Sequence, residues 1–451
     1  MVIGASSAAA GDAPLPAPAR FLAASVLQVW APPENLAYTS TDSRAPSLVV
    51  TGSGTVHVVW EEEASIYHTS GSSGSWSAPA EVVLGDSPAL ALDSSDGVHM
   101  AFVSEMGGTF DVFYTRWDGG GWTLPVNVSA TSGVSSAPVI ACAPGNSVHI
   151  VWADNTGGEM ALYHGQSSDG SSWSTFPIPN GTGSTPALAV GYDGILHLAW
   201  QSPDTDTGLD EIWYMQFDGV SWSLPENISA TPEEASTVPS IAVAPDNTVH
   251  IVLQETLASN TAIYHASGQP GTWTQPEDVS GTLESAKFPA LGINSVGHGF
   301  LLWDEGSVIM GRELYAPTGM WSAPEQVASD VFGISDPALF VNSSTVHAAW
   351  AEEVSAFNWD IFYSTRPACA LPADVDGDGD VDIVDVMLVA SRWCTSCENP
   401  DPDNNPATPN YEARYDLDHD CDIDIVDIML VAVHWGDVNH SAPPFSCSGC
   451  P

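Results

Sequence analysis

The chain is short of positive charge. Lys and Arg together number 8 in 451 residues, against 56 Asp and Glu, for a formal net charge of −48. The acids are an ordinary fraction of the whole, so the imbalance is a shortage of bases and does not by itself show adaptation to salt. It argues against nucleic acid and anionic membranes as partners, because counterion release from phosphates needs clustered Lys and Arg. Long apolar runs are also missing: no stretch of about 18 apolar residues is present to span a bilayer. Residues 1–29, opening MVIGASSAAAGDAPLPAPAR, lack a basic n-region and read as a disordered lead-in or as what remains after a signal peptide. Cysteine is scarce before residue 369, where Cys142 stands alone in an apolar strand as an expected buried thiol. The other six, Cys369, Cys394, Cys397, Cys421, Cys447 and Cys450, surround one C-terminal region or fall in the tail, 438–451. That crowding suits local disulfides in an oxidising compartment, with the connectivity open. The two C-x-x-C pairs are too far apart for a zinc ribbon.

Between those cysteines lies an aspartate ladder written twice. Asp374, Asp376, Asp378, Asp380, Asp382 and Asp385 recur as Asp416, Asp418, Asp420, Asp422, Asp424 and Asp427. In each copy carboxylates occupy loop positions 1, 3, 5, 9 and 12, the spacing by which a twelve-residue loop wraps one hard cation in oxygen. Without a cation so many like charges repel. Each loop runs into an apolar segment free of Gly and Pro, which predicts two short helices beginning within the loops.

The unit over 371–437 resembles a dockerin, the paired calcium-loop module that plugs into cohesin domains on extracellular scaffolds. The resemblance implies two Ca2+ sites, a cohesin-type scaffold or cell-surface partner, and an extracellular location. Position 6 is Gly379 in the first loop but Cys421 in the second, so weaker binding is expected there. The family's partner-reading positions 10 and 11 are commonly small hydroxyl residues; here they are Ile383, Val384, Ile425 and Val426. Such apolar pairs suit either an unusual cohesin or packing within the chain. The segment between the loops (394–415) is longer and richer in Pro and Asn than in typical members.

Residues 30–367 repeat with a period of roughly 48, in the range of a propeller blade. Each unit has a Pro opening an apolar strand (Pro46, Pro88, Pro138, Pro186, Pro239, Pro289, Pro337). A second strand follows, such as VHVVW or VHMAF, then an aromatic third strand and a Trp with a Pro-punctuated fourth. Blades are expected near 45–84, 87–130, 136–181, 184–230, 237–281, 287–329 and 335–366. The seventh lacks a Trp-Pro strand of its own, and Trp30-Ala-Pro-Pro-Glu-Asn-Leu36 matches the one at Trp222. Residues 30–37 should therefore close the last blade. The predicted fold class is an all-β seven-bladed propeller followed by a small α-helical calcium-loop domain.

The turn Ser167-Ser-Asp-Gly-Ser-Ser-Trp173 resembles a shortened Asp-box, the fold-stabilising turn of the sialidase repeat superfamily. A sialidase needs three clustered arginines, a nucleophilic Tyr with its Glu, and an acid/base Asp. Arg116, Arg312 and Arg366 lie at or after third strands, where that family does not place its triad. An acid follows the second strand in most blades: Glu62, Glu105, Asp154, Glu255, Glu305 and Glu352. Strand alternation should gather these candidate rim residues into one negative mouth, hostile to sialic or uronic acids. Catalytic residues are not assigned. A glycoside hydrolase or lyase is the alternative, since two carboxylates suffice for glycoside cleavage; its mark would be a blade-specific carboxylate with a raised pKa.

The second-strand histidines His57, His99, His149, His197, His250 and His347, with Phe300 in blade six, are expected to bond a neighbouring blade's backbone. Third-strand Tyr67, Tyr114, Tyr163, Tyr214, Tyr264 and Tyr363 should pack between blades. Asn127-Val-Ser and Asn227-Ile-Ser recur with the repeat and are assigned no modification. The expected function is a secreted recognition disc for a glycan or protein, anchored by its calcium module. A purely structural surface protein, its apolar pairs docked on the propeller, is a further alternative.

Overall fold

The computed structural model describes residues 30–368 except 232, 283, 317, 318, 356 and 357, together with 383–390 and 428. Seven antiparallel sheets follow one another along the chain. Their innermost strands are Ser43–Val50, Asp86–Leu92, Ser135–Ala143, Ser184–Val190, Ala235–Val243, Lys287–Ile293 and Ile334–Val341. Each packs beside the next, and the last packs beside the first, so the ring is closed. The N-terminal pair Glu34–Asn35 lies on the third strand of blade seven, with Glu34 opposite Tyr363 and Asn35 opposite Phe362. This is the closing strand expected from the orphan Trp-Pro segment.

The second strands are the most deeply buried because both their faces meet other blades. Trp60, Trp152, Trp200, Trp303 and Trp350 are completely or almost completely buried. The fourth-strand tryptophans reach back to the preceding blade. Trp76 meets Tyr363, Trp122 meets His68, Trp173 meets Tyr114 and Trp222 meets His164, and the series continues with Trp273 on Tyr214, Trp321 on His265 and Trp30 on Phe300. All are edge-on or nearly so, with centroids 4.8–5.6 Å apart. Edge-to-face pairs of this kind contribute about 0.5–1.5 kcal/mol beyond area burial. The ring is thus stitched at every interface, including the one the N-terminal segment completes.

The repeated prolines sit inside the first strands rather than at their openings. Each falls in a β-bulge, where the register with the second strand shifts. The residue before it has positive φ in every blade: Ala45, Ser87, Ala137, Thr185, Val238, Phe288 and Asp336 lie between 46° and 54°. A bulge frees Pro from donating to the ladder, and the strain at the preceding residue costs about 1–3 kcal/mol per copy.

In the C-terminal region a helix covers Ile383–Ala390, starting at position 10 of the first aspartate loop. Ile383, Val384 and Asp385 lie on it. The remaining expected ligands, Asp374 to Asp382 and Asp416 to Asp427, and the pair Ile425 and Val426, lie outside the described residues, as do all cysteines but Cys142. Cys142 is half-buried in the core, and burial pushes its thiol up to about 12.

Candidate functional site

The second-strand histidines bond within their own blades, not to a neighbour's backbone as expected. Nδ1 of His57, His149 and His250 meets Nε2 of His68, His164 and His265 at 3.0–3.1 Å. Nδ1 of His99, His197 and His347 meets the hydroxyl of Tyr114, Tyr214 and Tyr363 at 2.7 Å. The third-strand tyrosines are therefore not one equivalent set. Tyr114, Tyr214 and Tyr363 occupy the histidine-bonding position, whereas Tyr67, Tyr163 and Tyr264 lie one residue earlier, half-buried and opposite Trp60, Trp152 and Leu253. Cross-strand volume explains the choice. Tyrosine faces Ala101, Ala199 and Ala349, while histidine faces Val59, Val151 and Val252. A larger ring meets a smaller partner, which conserves packing. Burial pushes all nine ring-pair histidines below their ordinary pKa, with His68, His164 and His250 at about 3 and His149, His197 and His347 at about 4. They are neutral structural bonds at physiological pH.

Acids on the fourth strands hold the tryptophan of the following blade. Glu34 accepts from the Trp76 indole at 3.1 Å and from the Gly74 amide at 2.8 Å. Glu226 does the same for Trp273 and Gly271, and Glu325 takes Trp30. Where Ala80 and Val126 stand at the corresponding positions, the indole nitrogens of Trp122 and Trp173 are buried without a hydrogen-bond partner. In blade five Glu277 lies 4.0 Å from His265 instead, and the Trp321 indole is likewise unpartnered. At the closing interface buried Arg366 pairs with both Glu313 and Glu325 and sits 5.1 Å over the Phe300 ring that replaces histidine in blade six.

Antiparallel pairing puts the starts of the first strands and the ends of the second strands on one face, around the channel mouth. The expected rim acids do gather there, but not as an open ring of charge. Glu62, Asp154 and Glu255 are buried. Glu62 accepts from Thr41, and Glu255 from Ser236 at 2.6 Å. Burial alone would raise Asp154, but bonds from Thr156, Thr131 and Ser135 outweigh it and hold the carboxyl below its ordinary value. Glu305 and Glu352 are half-buried and cap the indoles of Trp303 and Trp350 at 2.8 and 3.1 Å. Glu105 is exposed. The physical reason is that these connections run between blades, where a carboxylate must find donors or stay protonated.

What makes the mouth chemically unequal is a residue class that the sequence analysis passed over, the bulges themselves. Their two residues before proline are Lys287-Phe288 in blade six, Ser335-Asp336 in seven, Arg44-Ala45 in one and Asp86-Ser87 in two. Blades three to five put Ser136-Ala137, Ser184-Thr185 and Thr237-Val238 there, with no charge. Glu61, beside the charged sector, accepts from the Ser87 amide at 2.7 Å. Burial raises its pKa, the Ser87 bond opposes this, and Asp86 and Asp336 add to it. Burial likewise raises Asp86 and Asp304. Arg44 lies 4.1 Å over the Trp359 ring and 4.0 Å from Asp42. Poised carboxyls, one exposed guanidinium and an aromatic platform could grip or protonate a polar polymer.

The other arginines are elsewhere. Arg312 donates to the Ser322 and Val279 carbonyls, Arg366 is in its buried pairs, and Arg116 is exposed on a third strand. Among the described residues no three arginines converge, and no group of three or more His, Cys, Asp or Glu is arranged to hold a metal. The glycosylation-like asparagines are structural: Asn127 donates to Asp111 at 2.8 Å, and Asn127 and Asn227 accept from the Ala130 and Ala230 amides.

Residues 372–434 match the dockerin type I domain family. The propeller aligns with an ulvan lyase of polysaccharide lyase family PL25 bound to -[GlcA(1-4)Rha3S]-, at 10% identity and TM-score 0.54, covering 73% of this chain and 95% of that one. A protein of unknown function from Dyadobacter fermentans DSM 18053 aligns at 13% identity and TM-score 0.50, over 75% and 98% of the two chains. The intramolecular trans-sialidase from Ruminococcus gnavus, crystallised with oseltamivir carboxylate, aligns at 13% identity and TM-score 0.44, over 74% and 96%. At such identities the first two alignments speak for the propeller fold alone. No curated protein matches the chain.

Proposed function

We propose that this chain is an extracellular recognition propeller, tethered through a calcium-loaded dockerin module to a cohesin-bearing scaffold or cell surface. The observation that carries the reading is the dockerin family match over the duplicated aspartate loops. The donor set fits calcium: Asp374, Asp376, Asp378, Asp382 and Asp385, and Asp416, Asp418, Asp420, Asp424 and Asp427, offer only hard carboxylate oxygen, which suits Ca2+ over softer metals. Asp380 and Asp422 add charge to each loop. When bound, the cation offsets part of the loop's charge and lets the following helix pack. Ile383, Val384, Ile425 and Val426 would then read the partner. Calcium-dependent capture by immobilised cohesins tests this, with Ile383→Asp plus Ile425→Asp expected to lose capture at least tenfold. Calcium removal should melt the tail while leaving the propeller's own transition unchanged. Capture that persists in chelator would refute the tether.

A second reading is favoured by the charged sector of the mouth. Glu61 and Asp86, raised by burial beside Arg44 and Trp359, have the properties of an acid and its partner in glycoside hydrolysis or lyase chemistry. Release of reducing ends or unsaturated products from plant or algal polysaccharides, abolished by Glu61→Gln, would move the assignment from binder to enzyme.

A further inference from the structure

The opposite face, where first strands turn into second strands and third into fourth, carries a cleft of about 710 Å3 between blades three and four. Trp173 supplies its accessible aromatic surface, Phe217 lies buried at its floor, and His149, Gln166, Asp193 and Ser168 are among its polar groups. We infer that this cleft binds a neutral oligosaccharide. The inference deepens the reading of the propeller as a recognition module and places a glycan away from the channel mouth.

Four observations converge on it. The cleft lies over a smaller ring than its counterpart between blades one and two. In blade two Trp117 fills the corresponding space, 4.9 Å from His68 and 5.8 Å from His57. In blade four the residue at that place is Phe217, 5.0 Å from His164 and 6.4 Å from His149; Phe176 fills part of the space, 4.9 Å from His164, and the cleft opens over the smaller ring. Secondly, the wall is built in advance. Asp169 accepts from the Ser171 and Ser172 amides at 2.7 and 2.8 Å, and Ser167 bonds both Asp169 and Gly170. Gly170, at φ 70°, lies so close to Tyr114 that a Cβ there would come within 2.8 Å. A turn fixed in this way loses little entropy when it meets a ligand.

The third observation is charge. No Lys or Arg lines the cleft, and Asp193 is its one carboxylate. His149, lowered by burial to about 4, is neutral. Anionic ligands such as uronates, sialates and phosphates have nothing to pair with and one charge to repel them. The fourth is the mixture itself: serine hydroxyls, an amide and a carboxylate beside the half-buried Trp173 indole match the alternating hydroxyls and C–H faces of sugars. The volume is of the size that holds roughly two or three hexose units.

The test uses the full chain with cellotriose, xylotriose and mannotriose, and a trigalacturonate of equal length as the anionic arm, read by calorimetry. At least one neutral trisaccharide should bind and trigalacturonate should not. Phe217→Trp places blade two's residue at this buried position and should weaken binding at least tenfold, with a cooperative thermal melt showing that the larger ring leaves the chain folded. Gln166→Ala should weaken it about threefold to tenfold. Absence of binding by every neutral trisaccharide, equal binding of trigalacturonate, or unchanged affinity in Phe217→Trp would each overturn the proposal. Calcium-dependent cohesin capture, read on the same samples, reports on the tether separately.

Discussion

Blades one, three and five bury a histidine pair where blades two, four and seven bury a histidine and a tyrosine. Both arrangements tie the second strand to the third, and both present a ring to the next blade's tryptophan. They differ in what they titrate. A pair blade holds two buried neutral imidazoles, a tyrosine blade one, and a buried phenol has no charged form to reach on acidification. They also differ in what the fourth-strand acid does. In tyrosine blades four and seven Glu226 and Glu34 reach the next tryptophan, whereas in pair blade five Glu277 turns toward His265. The same fold therefore carries two chemistries of adhesion.

The largest test of this contrast is acid. Folded-state histidine pKa values lie below the unfolded value of 6.5, so the stabilisation is fully present above that pH. It is lost as pH falls from 6.5 toward 3–4, because the unfolded chain takes up protons first. Each such histidine costs about 2 kcal/mol near pH 5. Converting all three pairs (Val59→Ala with His68→Tyr, Val151→Ala with His164→Tyr, Val252→Ala with His265→Tyr) should lower the acid-unfolding midpoint by about 0.5 unit or more. Circular dichroism against pH would measure it, and an unmoved midpoint would count against the buried imidazoles.

Packing gives the next effect. Ala199→Val alone crowds Tyr214 and should cost about 1–3 kcal/mol in urea denaturation. Adding Tyr214→His rebuilds a pair blade and should recover most of that loss. Removing a clamp comes third: Glu226→Ala leaves the Trp273 indole without its acceptor, at about 1–2 kcal/mol. The smallest effect sharpens the contrast most. Val126→Glu, in tyrosine blade two, should satisfy Trp173 and gain up to about 1 kcal/mol. Ala80→Glu, opposite His68 in pair blade one, should turn to the histidine and give no such gain at pH 7. Thermal melts of the two variants decide between them.

Some of this was legible before the structure. The strand strings carry the alternation openly: VHMAF, LHLAW and VHAAW precede the tyrosine blades, and VHVVW, VHIVW and VHIVL the pair blades. Reading Ala against Val at the penultimate position, together with Tyr against His, would have separated the two tyrosine registers. The candidate rim was less legible. Glu62, Asp154 and Glu255 look like Glu105 in a list of acids, but each is bonded by Thr41, Thr131 or Thr231 on the connection from the preceding blade. The charged sector was hidden for another reason: Arg44, Asp86, Lys287 and Asp336 stand one or two residues before the repeated prolines with no motif of their own, and only the bulge sets them at the mouth.

The amino-acid pattern by itself determined the number of blades, the closing segment at Trp30 and the duplicated aspartate loops of the dockerin match, because each rests on spacing along the chain. Short-range period and ligand spacing survive any arrangement of neighbours. Tertiary structure decided which carboxylates meet solvent, which partner each histidine takes, and that a cleft opens over Phe217 where Trp117 fills the counterpart. Those outcomes depend on contacts between rings and loops far apart in the chain, where a carboxylate's charge and a ring's missing volume acquire their consequences only when the next blade packs against them.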